Sequence, residues 1–136
     1  MPPIQINHVA IVVKDVDEAL KFWHLALGLK VESIERDDHE AVEIAVLPLG
    51  GGEIELISPI TEDSGVAKYL TKHGPGLHHI ALEVDSMDAS IAQLKAGGAE
   101  MIDEPKMHPD GTRYAFIHPK STGGVLLELY ELPRSK

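Results

Sequence analysis

The sequence predicts an α+β fold in which two tandem β-α-β-β-β modules form a curved eight-stranded mixed sheet. Three observations predict it. His8-Val9-Ala10-Ile11-Val12-Val13 is echoed by His79-Ile80-Ala81-Leu82-Glu83-Val84, and each run leads into a segment with helical spacing. Glu43-Ile44-Ala45-Val46-Leu47-Pro48 and Gly51-Gly52-Glu53-Ile54-Glu55-Leu56 answer to Arg113-Tyr114-Ala115-Phe116-Ile117-His118-Pro119 and Gly123-Gly124-Val125-Leu126-Leu127-Glu128-Leu129. Residues 41–47 alternate with period two, Glu43 on one face and Val42, Ile44 and Val46 on the other.

Taken in order, residues 6–13 read as a buried strand with His8, Ala10 and Val12 on one face. Asp15 is the N-cap of a helix, with Glu18 completing a capping box. Val16, Ala19, Leu20, Trp23 and Leu27 follow helical spacing, and Gly28 is the stop. Residues 29–36 and 41–47 read as strands joined by the solvated turn Asp37-Asp38-His39-Glu40. Residues 53–58 read as the fourth strand, after a turn from Pro48 to Gly52. A short helix over 64–73 ends at Gly74-Pro75-Gly76. The second copy then gives a strand over 77–84, a helix over 87–96 stopped by Gly97-Gly98, and a short strand over 100–103. A loop over 104–111 and strands over 112–117 and 125–130 complete it. The expected layout is one domain over residues 1–136, with module one at 4–59, a linker at 60–76 and module two at 77–133.

Composition narrows the function. A chain of 136 residues with 43% hydrophobic content is one core-forming domain. No run approaches the length of a membrane span, and the first residues lack the pattern of a signal peptide. There are no cysteines, which excludes disulfides and thiolate metal sites and fits a cytoplasmic location. A net charge of −10 argues against a nucleic-acid partner and leaves a small-molecule ligand.

Each copy carries a histidine on its first strand and a glutamate on its last. The small neighbours Ala10 and Ala81 leave room beside the imidazoles of His8 and His79. Glu55 and Glu128 each lie between two apolar residues and so point away from the packed side. Two imidazoles and two carboxylates at matching positions form a donor set for a borderline divalent metal such as Zn, Co, Ni or Mn. His78 points to the opposite face and reads as structural or as a support behind the ligands; His24, His39, His73 and His108 have no repeat partner. Glu43 is set apart because its counterpart is Arg113. It falls on the side of Ala45. A carboxylate beside a Lewis-acidic metal is the arrangement that moves a proton on or off a carbon next to a carbonyl.

These residues carry a resemblance. The paired modules look like the vicinal oxygen chelate (glyoxalase-like) superfamily, and within it the chain resembles the methylmalonyl-CoA epimerase family over essentially its whole length. The most specific stretches are Gly76-Leu77-His78-His79-Ile80-Ala81 and the run from His118 through Pro119-Lys120-Ser121-Thr122-Gly123-Gly124 to Leu129. His8-Val9-Ala10, Val42-Glu43-Ile44, Ile54-Glu55-Leu56 and Val66-Ala67-Lys68-Tyr69-Leu70 add to them. The resemblance implies a metal, cobalt first, held by His8, Glu55, His79 and Glu128, and interconversion of the C2 epimers of an acyl-CoA. It implies Glu43 and Glu128 as proton carriers on opposite faces of an enolate, and a homodimer. Lys120 and Ser121 are candidates for the substrate's free carboxylate, and Lys72, Lys106 or Arg113 for CoA phosphates. The alternatives are a glyoxalase I-type lactoylglutathione lyase, an extradiol dioxygenase, disfavoured by the fourth ligand, and a non-catalytic small-molecule-binding module of the same fold.

Overall fold

The structure, a computed structural model, describes residues 2–134. Among the described residues it contains eight strands, β1 (Gln5–Val12), β2 (Ser33–Asp37), β3 (Val42–Leu49), β4 (Gly52–Pro59), β5 (Gly76–Glu83), β6 (Lys106–Met107), β7 (Arg113–Ile117) and β8 (Leu127–Glu131), hydrogen-bonded in the order β2-β3-β4-β1-β5-β8-β7-β6, so the expected eight-stranded mixed sheet is present. Two compact units divide the chain: His8–His78, and the residues up to Asn7 together with those from His79 onward. The division falls inside β1 (Gln5–Val12).

In the first of these units, β1 pairs parallel with β4 (Gly52–Pro59). That strand pairs antiparallel with β3 (Val42–Leu49), which pairs antiparallel with β2 (Ser33–Asp37). Helix α1 (Val16–Leu20) starts where the Asp15 carboxylate accepts the Glu18 backbone N–H at 3.0 Å. Val16 packs on Ala45, Leu47 and Leu56, and Ile11, Ala19, Leu20 and Trp23 close around them. The other side of the sheet carries Ala10, Val42 and Ile57, met by Val66 of α2 (Gly65–His73). Ser64 caps α2 by accepting the Ala67 N–H at 3.0 Å.

The expected single helix from Asp15 to Leu27 is corrected by the structure. After five α-helical residues the backbone widens into a π-helical turn over Lys21–Ala26, where the Leu27 N–H reaches back to the Phe22 carbonyl at 2.8 Å. The wider turn rotates Leu27 off the apolar stripe, leaving it 53% exposed, and Leu29 packs in the core instead. β2 accordingly begins at Ser33 rather than Leu29. β3 runs through Pro48 to Leu49, so the β3–β4 turn is tighter than expected.

In the second unit, β5 (Gly76–Glu83) pairs parallel with β8 (Leu127–Glu131). β8 pairs antiparallel with β7 (Arg113–Ile117), and β7 with β6 (Lys106–Met107). Ile4 extends the pairing by donating its N–H to the Glu83 carbonyl at 2.8 Å. Helix α3 (Met87–Ala96) begins at a Ser86 cap, and its first N–H, that of Met87, is also taken by the Glu131 carboxylate. Fully buried Met87 sits with Val84, Ala115, Ile117 and Leu129 in this unit's core. The short strand expected at 100–103 is only a bridge between Met101 and Ile117. The strand itself falls at Lys106–Met107, inside the expected loop, where antiparallel partners are available on β7.

Candidate functional site

In the unit His8–His78, Ala10 stands opposite Glu55 in the parallel register of β1 and β4, and His8 opposite Glu53. Residues two apart on a strand share a face, so His8, Ala10, Glu53 and Glu55 lie on one side. Ala10 has no exposed surface. The His8 Nδ1 is 3.5 Å from the Glu55 Oε2, with the histidine side chain 4% and the glutamate 17% exposed.

The other unit repeats this arrangement. Ala81 stands opposite Glu128 in the parallel register of β5 and β8. Ala81 is also fully buried. The His79 Nε2 lies 3.1 Å from the Glu128 Oε1, with side chains 8% and 6% exposed. Phe116, opposite Glu128 across β7 and β8, meets the His79 ring edge-on at 5.4 Å between centroids. The His–x–Ala step and its glutamate, legible as a repeat in sequence, thus recur as the same register in both units.

These donors fit a divalent metal. Each pair joins an imidazole nitrogen to a carboxylate oxygen. His8, His79 and Glu128 are buried. A buried carboxylate beside imidazole is costly unless a cation or hydrogen bonds compensate it.

Glu43 sits elsewhere on its sheet. It stands opposite Ser58 in an unbroken β3–β4 register, in step with Ala45 and Leu47 on the side covered by α1, whereas Val46 stands opposite Glu55. The same alternation puts its counterpart Arg113 on the α3 side. There Arg113 donates to Asp88 at 3.0 Å and lies 3.9 Å from Glu131. Arg113 is therefore committed to an ion-paired cluster at the start of α3. The proposed carboxylate contacts Lys120 and Ser121 are also engaged: the Lys120 ammonium lies 2.8 Å from Glu100, and the Ser121 hydroxyl accepts the Glu100 N–H at 2.9 Å. His78 meets Tyr69 edge-on at 4.6 Å.

Sequence reasoning missed four residues of interest. Glu53 shares the face of His8 and Glu55; burial pushes its carboxyl above the usual range, with His8 opposing and Glu32 and Glu35 adding to the rise. Its place two residues before Glu55 was the available signal. Tyr114, Tyr130 and His108 gather on the Glu128 side of the other unit. The tyrosines alternate with core residues along β7 and β8, which was their signal; His108 had none.

Comparisons with known proteins give the family and the fold. Residues 7–116 match the Glyoxalase/Bleomycin resistance protein/Dioxygenase superfamily. The human mitochondrial methylmalonyl-CoA epimerase is 38% identical over 128 residues, spanning 92% of this chain and 72% of that protein. The ethylmalonyl-CoA/methylmalonyl-CoA epimerase of Cereibacter sphaeroides is 34% identical over 94% of this chain and 98% of its own length. Among solved structures, a variant of the Streptomyces coelicolor methylmalonyl-CoA epimerase bound to 2-nitronate-propionyl-CoA superposes with a TM-score of 0.87. It is 34% identical, over 98% of this chain and all of that one.

Proposed function

The chain belongs to the methylmalonyl-CoA epimerase family of the Glyoxalase/Bleomycin resistance protein/Dioxygenase superfamily, and from that premise we propose that it interconverts the (2R) and (2S) forms of methylmalonyl-CoA. The observation that carries the reading is the His–Glu pair repeated at equal register, His8 with the partly buried Glu55 and His79 with the buried Glu128. In the proposal the four residues hold one divalent metal, Co2+ first, with Mn2+, Ni2+ and Zn2+ as alternatives. When bound, the metal supplies Lewis acidity to the thioester carbonyl and so raises the acidity of the C2 hydrogen.

The chain's own residues do the rest. Glu128 is a proton carrier at C2: its carboxylate is buried, oriented by His79, and flanked by Phe116, which helps keep water out. Inversion needs a second carrier on the opposite face of the planar enolate, and the family resemblance gives that role to Glu43. The register turns Glu43 toward the α1 side, so its role rests on the resemblance and is decided by substitution. The reading includes a homodimer working in the cytoplasm on an acyl-CoA. Among the described residues, no helix is long and apolar enough to cross a membrane.

The decisive experiment is hydrogen exchange at C2 of methylmalonyl-CoA in D2O, with metal-stripped and cobalt-loaded protein. Deuterium uptake that depends on the metal supports the epimerase. No uptake in either sample, with cobalt content confirmed, withdraws the substrate. The lactoylglutathione lyase reaction is then the next assay, and inactivity there leaves a non-catalytic binding module.

A further inference from the structure

The face of β7 and β8 that bears Glu128 is aromatic. Tyr114 stands opposite Tyr130, and Phe116 opposite Glu128, one step along the same side. Two of the chain's three tyrosines and one of its two phenylalanines are gathered here. They do not belong to the α3 core, which is built from the alternate residues Ala115, Ile117 and Leu129. Tyr130 is about 7 Å along β8 from Glu128, within a tyrosine side chain's reach of groups attached to a carbon at that carboxylate.

A third ring fixes the pair. His108, in the turn between β6 and β7, lies flat on Tyr114, with centroids 4.3 Å apart and planes at 18°. It is 6.3 Å from the ring of Tyr130. The turn that holds it is tight. The His108 N–H donates to the Thr112 carbonyl at 2.8 Å, the Gly111 N–H returns to the His108 carbonyl at 3.0 Å, and the Thr112 N–H donates to the Asp110 carboxylate at 2.9 Å. Gly111 has φ +94°, and a Cβ there would come within 3.3 Å of Pro133, so the turn demands glycine. Stacked rings carried on paired strands have little freedom to make room.

We propose that Tyr114 and Tyr130, with His108 as the positioning residue behind them, form a rigid wall that limits the substituent on the carbon served by Glu128. The site therefore takes a 2-methylmalonyl thioester in preference to its 2-ethyl homologue. The proposal rests on the epimerase reading and deepens it. One surplus methylene against a rigid apolar surface is worth about 10- to 200-fold in kcat/KM.

The test compares kcat/KM for methylmalonyl-CoA and ethylmalonyl-CoA in cobalt-loaded wild type, Tyr130→Ala, Tyr130→Phe and His108→Ala. The wild type is expected to prefer the methyl substrate by at least about tenfold. Tyr130→Ala reduces that preference to about threefold or less, by gaining activity on the ethyl substrate. Tyr130→Phe, which keeps the ring, retains the preference. His108→Ala lowers it too, again by gaining activity on the ethyl substrate, and carries the test if Tyr130→Ala does not fold. Equal use of both substrates by the wild type, or a preference that survives Tyr130→Ala and His108→Ala, overturns the wall and leaves the epimerase standing. A wild type inactive on both substrates, with cobalt bound, overturns the epimerase reading and the wall with it.

Discussion

Glu128 on β8 and His79 on β5 touch at 3.1 Å across a fully buried alanine, Ala81, which is Glu128's partner in register. Two polar groups held that close inside a strand pair are costly unless a cation or hydrogen bonds compensate them. His79→Ala and Glu128→Ala are each expected to lower bound cobalt, and to lower C2 exchange by at least about 10²-fold, at or beyond the upper end of what even an outer-shell change does to a metal site. Elemental analysis read alongside the exchange rate separates the two effects. Full cobalt occupancy in both variants would remove this pair from the metal site.

Glu43→Gln asks a different question, because this side chain stands in step with Ala45 on the α1 side. If Glu43 is the second proton carrier, the variant keeps its cobalt and loses epimerisation by at least about 10²-fold, the usual scale for a general acid or base. C2 exchange on the epimer served by Glu128 persists. Unchanged turnover on both epimers would take Glu43 out of the mechanism.

What could be read from the sequence followed the repeat. Strand alternation and small neighbours marked His8, His79, Glu55 and Glu128, and the structure gives both pairs the same register. Where the two copies diverge, local rules failed. The π-helical turn over Lys21–Ala26 has no counterpart in α3 and leaves no composition signal, yet it turns Leu27 outward to 53% exposure and brings Leu29 into the core. Met101 looked like a strand residue, but it makes a single bridge to Ile117, while Lys106 and Met107 pair at the other end of β7 with Tyr114 and Arg113. The His108–Tyr114 stack depends on a turn closed by Gly111, a contact between positions that periodicity cannot link.

The α3 core predicts a stability effect independent of the site. Met87 has no exposed surface and sits against Ile117 and Leu129, so Met87→Ala leaves a cavity. The expected loss is about 2–5 kcal/mol, read from urea unfolding at constant m-value. Ser64→Ala removes one cap bond to Ala67 and is expected to lose about 1 kcal/mol. Similar losses in the two variants would mean that the α3 core relaxes around the cavity.

The Glu100–Lys120 contact predicts a pH dependence with a definite sign. The Lys120 ammonium at 2.8 Å, through its hydrogen bond and its charge, holds the Glu100 carboxyl below its ordinary value of 4.5. A carboxylate whose pKa is lower folded than unfolded contributes stability above the unfolded value, and loses it as pH falls through the folded one. The contact also ties down the Pro119–Ser121 turn, where the Ser121 hydroxyl and the His118 N–H both bond the backbone of Glu100. Both side chains are well exposed, so the contribution is small and weakened by salt. Lys120→Met is therefore expected to lower Tm slightly at neutral pH and low salt. The gap to wild type should narrow as pH drops below the ordinary glutamate value, and also on adding salt. A gap that stays constant from neutral to acid pH would show that the lysine acts through packing of its stem on the turn rather than through its charge.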